Sequence, residues 1–265
     1  MMLRACAIAL AATVVLAANA QESPAVVLET HAMQLGSETR DVDVYRPGAA
    51  PVGIAIVAHG FARSRARHRD LGRALAEAGI VAVVPDLPSV LNLWTNGDAL
   101  AEFEKRLEDG ALPSLPVARD RVVLVGTSAG GLATVLAAAQ LSGVAGWIGL
   151  DPVDRTGTGA TAASRVSAPA VVLLAEPSLC NLMASGRGIA EALPRRWRTV
   201  EIGEASHCDF EDPTNNLCQV MCGASSEGAR SQIRAEIVTT ALEMLTRPKA
   251  HEPSATRAKT TESVP

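Results

Sequence analysis

Aromatic residues are scarce: three Phe, three Trp and one Tyr among 265 residues. With so few rings and 48% of the chain hydrophobic, a sizeable core must be built mainly from Ala, Val, Leu and Ile, and the length fits one large domain. A basic stripe is missing as well. The formal charge is −4, which excludes a nucleic-acid footprint. Past the first twenty residues no long apolar run remains. Each is about six residues, against the roughly 20 that a membrane span needs. There is no His-Glu-x-x-His, no paired Cys-x-x-Cys and no Gly-x-Gly-x-x-Gly after a strand, so no metal or organic cofactor is expected.

The ends of the chain read differently from its middle. Met1–Arg4 is a short basic start, Cys6–Ala18 is apolar, and Ala18-Asn19-Ala20 is a small-residue cleavage signal. Residues 1–20 are therefore expected to be a secretory signal peptide, and the mature chain to be secreted or periplasmic. Four cysteines remain after it, Cys180, Cys208, Cys218 and Cys222. An even count in an exported chain suggests two disulfides, with three possible connectivities. From 247 to 265 there is little apolar surface to offset ordering entropy, and a disordered tail is expected. The folded domain is expected over 21–246, as a monomer.

Between the ends, strands and helices alternate. Val26–Glu29 and Val42–Tyr45 read as opening strands. Gly53–Ala58, Ile80–Val84, Arg121–Val125, Ala145–Leu150, Ala170–Ala175 and Arg198–Ile202 read as later ones. Helices are expected at His68–Ala78, from Asp98 as N-cap, and at Ala129–Leu141, Gly188–Leu193 and Glu227–Leu245. The pattern predicts a mostly parallel sheet with helices on both faces. In such sheets reactive groups gather at the carboxyl ends of the strands.

Gly126-Thr127-Ser128-Ala129-Gly130 lies at one of those ends. A G-x-S-x-G turn joining a strand directly to a helix forces the serine onto a tight corner and lifts Oγ clear of the sheet. The setting marks Ser128 as a nucleophile. Its base must come later in the chain. His31 and His59 come too early, His68 opens a helix expected on the surface, and His251 is in the tail. His207 follows the last strand and is the expected base. For the orienting acid Asp151, at the end of Ala145–Leu150, is favoured; Asp154 and Glu176 remain alternatives. Asp209 and Asp212 read as loop hydrogen-bonders. His59-Gly60-Phe61 ends an early strand, so the N–H groups of Phe61 and Ala129 are expected to form an oxyanion hole. His59, Gly60 and Phe61 are expected to line the substrate pocket.

These residues resemble the α/β-hydrolase superfamily, and within it the chlorophyllase-like branch, related more distantly to cutinase-type polyester hydrolases. The likeness rests on Trp147–Gly159 (WIGLDPVDRTGTG), on Ala205–Asp212 (ASHCDFED) and on the later Cys218 and Cys222. It runs from about Val52 to Leu245. It implies an α/β-hydrolase fold with Ser128, His207 and Asp151 as the triad, the last from the D-P-V motif. GTSAGG departs from the family's usual G-H-S-R-G-G, and an exported chain has no evident access to chlorophyll. The substrate therefore does not carry over. From the same topology, a Cys180–Cys208 bridge would pin the histidine loop and leave Cys218–Cys222 as a local bridge.

The sequence thus predicts a serine hydrolase of carboxylic esters acting on a small-molecule or lipid-like ester. Little more than a loop, Arg155–Pro169, follows Asp151, so no large lid is expected. The alternatives are an acyltransferase, a dienelactone-hydrolase-like enzyme (whose nucleophile is Cys, against Ser128 here) and a non-catalytic binding protein on the same fold.

Overall fold

The computed structural model describes residues 25–112 and 119–247. The expected leader, His251 and all of the expected tail but Arg247 lie outside the described residues. In chain order the elements are β1 (Val27–Leu35), β2 (Glu38–Arg46), β3 (Gly53–Ala58), α1 (Arg69–Glu77), β4 (Ile80–Pro85), α2 (Leu93–Glu108), β5 (Val122–Thr127) and α3 (Ala129–Ala138). There follow β6 (Gly146–Leu150), α4 (Thr158–Ala163), β7 (Ala170–Leu174), α5 (Gly186–Ala192), β8 (Arg196–Glu201), α6 (Asn216–Cys222) and α7 (Glu227–Thr246).

The eight strands form one sheet in the order β1-β2-β4-β3-β5-β6-β7-β8. The β1–β2 and β2–β4 pairs are antiparallel, and the rest of the sheet is parallel. Every residue of β3 to β7 is buried, as the continuous apolar runs require of strands covered on both faces. Side chains alternate between two core layers. Ile54, Ile56, Val122 and Leu124 pack with Leu100, Phe103 and Leu136 of α2 and α3. Ala55, Val57, Val123 and Val125 pack with Leu71 and Leu75 of α1 and Ile233 and Ile237 of α7. Trp147 is the largest buried side chain. Its indole N–H donates to Thr134 Oγ1 at 3.0 Å, which avoids the roughly 1–3 kcal/mol cost of an unpaired buried donor.

Several expectations are corrected. The second helix begins at Leu93, not at Asp98. Its N-cap is Asn92, whose side chain accepts from the Thr95 N–H at 3.2 Å, while Asp98 accepts instead from Gln140 Nε2. Asn96, two residues before Asp98, is drawn inward by a pair of hydrogen bonds to the Ser89 backbone, so Asn-Gly-Asp lies within the helix and not at its start. The connection after Asp151 is not all loop. It holds α4, whose Ala162 and Ala163 are fully buried in the core layer beside α5. This helix packs against α3 and α5, so no large lid arises from it. The short helix α6 had no forerunner in the sequence pattern.

His68 is not on the surface. It closes a 3₁₀ turn over Arg65–His68 ahead of α1 and is 0% exposed. Neither ring nitrogen has a hydrogen-bond partner, and burial, with a smaller contribution from His59, drives its pKa down to about 3. Between that value and the ordinary 6.5 the unfolded chain binds a proton that the folded one refuses. Stability should therefore fall as pH drops below about 6.5, by at most about 1.4 kcal/mol per pH unit from this group. Urea unfolding at pH 7, 6 and 5 measures it. His68→Leu should raise stability at pH 7 and flatten the acid dependence; an equal slope in the variant would refute the assignment.

Candidate active site

The register of three neighbouring strands sets up the site. Ala58 of β3 pairs with Gly126 of β5, and Thr127 of β5 pairs with Leu150 of β6. The residues just beyond these ends are His59, Ser128 and Asp151, so they stand side by side at the carboxyl edge. Ser128 occupies the turn between β5 and α3 with φ 55° and ψ −120°. A non-glycine residue in that conformation is strained. It is held by its N–H donating to Leu150 O at 2.9 Å and by its C=O accepting from Gly131 N at 3.0 Å. The flanking glycines are required by contact. A Cβ on Gly126 would lie 2.3 Å from Gly130 O, and one on Gly130 would lie 2.4 Å from Ala58 O and His59 O.

His207 begins a 3₁₀ turn, His207–Phe210. Asp209, 1% exposed, anchors that turn. Its Oδ2 accepts from Ser206 N at 2.8 Å and its Oδ1 from Ser226 N at 2.8 Å, tying the loop to the start of α7. His207 Nε2 lies 3.0 Å from Ser128 Oγ, and Nδ1 lies 2.6 Å from Asp151 Oδ2. With Asp151 fully buried and acceptor-only when ionised, Nδ1 carries the proton and Nε2 is free to accept from the serine hydroxyl. Of the competing acids, Asp154 accepts from Thr156 N and Ala160 N at the start of α4. Glu176 accepts from Glu204 N. Neither pairs with His207.

Gly60 and Phe61 line a cavity of about 300 Å³ with Ser128 and His207. A Cβ on Gly60 would be 3.3 Å from Ser128 Cβ, so the backbone of this turn runs against the serine. His59 is set behind it. Its Nδ1 donates to Gly60 O and its Nε2 accepts from Leu87 N, each at 2.9 Å. Burial lowers its pKa, which keeps the ring neutral and the turn braced; it borders a narrower recess shared with Ala129. Arg63 and Glu211 also reach the cavity, paired at 2.6 Å. Burial raises the Glu211 pKa, against the opposing pull of Arg63. A separate hollow of about 370 Å³ lies on the surface between Arg187 and Glu201, and no serine, cysteine or histidine lines it.

The cysteine pairing differs from the expected one. The bridges are Cys180–Cys222 and Cys208–Cys218, not Cys180–Cys208 and Cys218–Cys222. The cause is α6. Helical residues four apart point the same way with Cβ atoms roughly 5–6 Å apart, whereas a disulfide needs about 3.5–4.5 Å. Each cysteine of α6 therefore takes a partner from another loop, and both bridges border the cavity. Sequence reasoning also missed Asn181, which donates to Asp151; no motif marks it. Among the described residues no helix is long and apolar enough to cross a membrane.

No family model and no curated protein sequence matches the chain. Solved structures do, in 1154 chains, so what is shared is backbone and not sequence. One is the crystal structure of dienelactone hydrolase from Anabaena variabilis ATCC 29413, with a TM-score of 0.63 at 21% identity, covering 80% of this chain and 96% of that one. The sheet order, the helices on both faces and this likeness together establish the α/β-hydrolase fold.

Proposed function

We propose that this protein is an exported serine hydrolase of carboxylic esters, with Ser128 as nucleophile, His207 as general base and Asp151 as its orienting acid. The observation that carries the reading is the unbroken chain of contacts from Ser128 Oγ through His207 to Asp151, at 3.0 and 2.6 Å. Ser128 Oγ attacks the ester carbonyl while His207 Nε2 takes its proton. Asp151 stabilises the imidazolium that results, and His207 then returns the proton to the leaving alcohol. The N–H groups of Phe61 and Ala129 receive the oxyanion. The close approach of the Gly60 backbone to Ser128 and the place of Ala129 at the start of α3 support this role. Water, activated by the same imidazole, releases the acyl group.

The cavity walls support an uncharged, apolar ester. Phe61, Leu217 and Met221 line it and are 57%, 60% and 71% exposed. The two disulfides are consistent with an oxidising compartment and support a secreted or periplasmic location. The structural likeness to a dienelactone hydrolase favours a second substrate, a lactone, which the same serine chemistry would open.

A fluorophosphonate probe tests the reading. The purified mature protein should be labelled at Ser128, with labelling lost in His207→Ala. A folded protein that takes no label would favour the binding-protein alternative.

A further inference from the structure

Asp151 is fully buried, and His207 is not its only partner. Asn181 Nδ2 lies 3.1 Å from Asp151 Oδ2 and 3.4 Å from Oδ1. Asn181 is itself 0% exposed. Its side-chain carbonyl accepts from Ser178 N at 2.8 Å and from Ala184 N at 2.9 Å. The other end of the amide donates to Glu176 O at 2.8 Å. Two N–H donors at one end and two acceptors at the other leave a single way round for the amide, with its NH₂ toward Asp151.

The loop that carries Asn181 is held in an unfavourable shape. Leu182, Met183 and Ala184 have φ of 50°, 57° and 59°, a left-handed conformation unfavourable for residues with a Cβ. This run aims the Ala184 N–H at Asn181 Oδ1. The Cys180–Cys222 bridge and the Ser185 N and Oγ bonds to Asn181 O, at 3.0 and 3.1 Å, fix the loop on either side. Such strain persists where the surroundings over-determine it, and it concentrates at functional sites.

We infer that Asn181 is a positioning residue for the reaction. It clamps the Asp151 carboxylate so that Oδ2 faces His207 Nδ1. The inference rests on the serine-hydrolase reading above. Without the clamp only the Ala175 N–H, 3.2 Å from Oδ1, still holds the carboxylate besides His207, and a negative charge introduced at position 181 would hold the His207 imidazolium more tightly. The base is then misaligned and also harder to deprotonate.

Two variants separate positioning from loop support. Asn181→Asp keeps an oxygen for Ser178 N and Ala184 N but turns an acceptor toward Asp151; Asn181→Ala removes both ends. With p-nitrophenyl butyrate as substrate, Asn181→Asp should lose about 100-fold in kcat, with KM nearly unchanged. The acid limb of its kcat/KM profile should move to higher pH, and circular dichroism should show the native fold retained, although two buried carboxylates side by side lower its thermal transition. Asn181→Ala should lose kcat as well. Wild-type kcat and pH profile in Asn181→Asp would overturn the inference. So would a kcat loss in Asn181→Asp with an unmoved acid limb, because the amide would then serve only the loop. A wild-type protein that takes no fluorophosphonate would instead remove the reading on which the inference rests.

Discussion

Alanine in place of Ser128 is expected to lower kcat on a soluble p-nitrophenyl ester by about ten-thousand-fold or more. The remaining rate would come only from binding and the oxyanion donors. His207→Ala should fall to a similar level, and the double variant should fall little further, because nucleophile and base act as one unit. Asp151→Asn is the more informative change. An asparagine could donate to His207 Nδ1, which would place the remaining imidazole proton on Nε2, facing Ser128 Oγ. The base would then be blocked with its geometry intact, and a loss of about ten-thousand-fold is expected. Circular dichroism checks that each variant folds, and steady-state kinetics measures the loss. If Ser128→Ala kept more than a tenth of the wild-type rate, the nucleophile would lie elsewhere.

Removing the Cys180–Cys222 bridge should have the largest effect on stability. It spans 42 residues, against 10 for Cys208–Cys218. Chain entropy then gives about 4 kcal/mol for the longer bridge and about 3 kcal/mol for the shorter. In a chain of this size 4 kcal/mol corresponds to roughly 10 °C in Tm. Cys180→Ser combined with Cys222→Ser should show that loss by calorimetry. It should also cost activity, since Cys180 adjoins Asn181 and the Asp151 clamp. Cys208→Ser with Cys218→Ser should loosen the turn that carries His207. Peptide mapping under non-reducing conditions checks the pairing directly; a Cys180–Cys208 peptide would overturn both predictions.

The corner at Ser128 and the loop of His207 could be read from the sequence because their signals are local. A buried apolar strand, a glycine-flanked serine and an Ala-rich helix specify the corner at Ser128 without help from distant residues. The loop after the last strand singled out His207 by chain order alone. The carboxylate that meets His207 was half legible. Asp151 and Asp154 both follow the same strand, and only the packing assigned one to His207 and the other to the start of α4. His68 was misread because the periodicity of α1 says nothing about how the 3₁₀ turn before it folds inward. Asn92 was passed over as a cap because Asn96-Gly97-Asp98 gives a stronger local turn signal than the helix that contains it.

The sequence by itself determined the alternation of strand and helix, the identity of the core residues and the position of the strained serine. All of these follow from side-chain period and backbone sterics within a few residues. The tertiary structure alone decided which cysteines pair, which carboxylate meets His207 and that Asn181 reaches Asp151. Those contacts join residues up to 56 positions apart. They depend on strand register and on the direction of helix side chains, which exist only once the sheet has assembled.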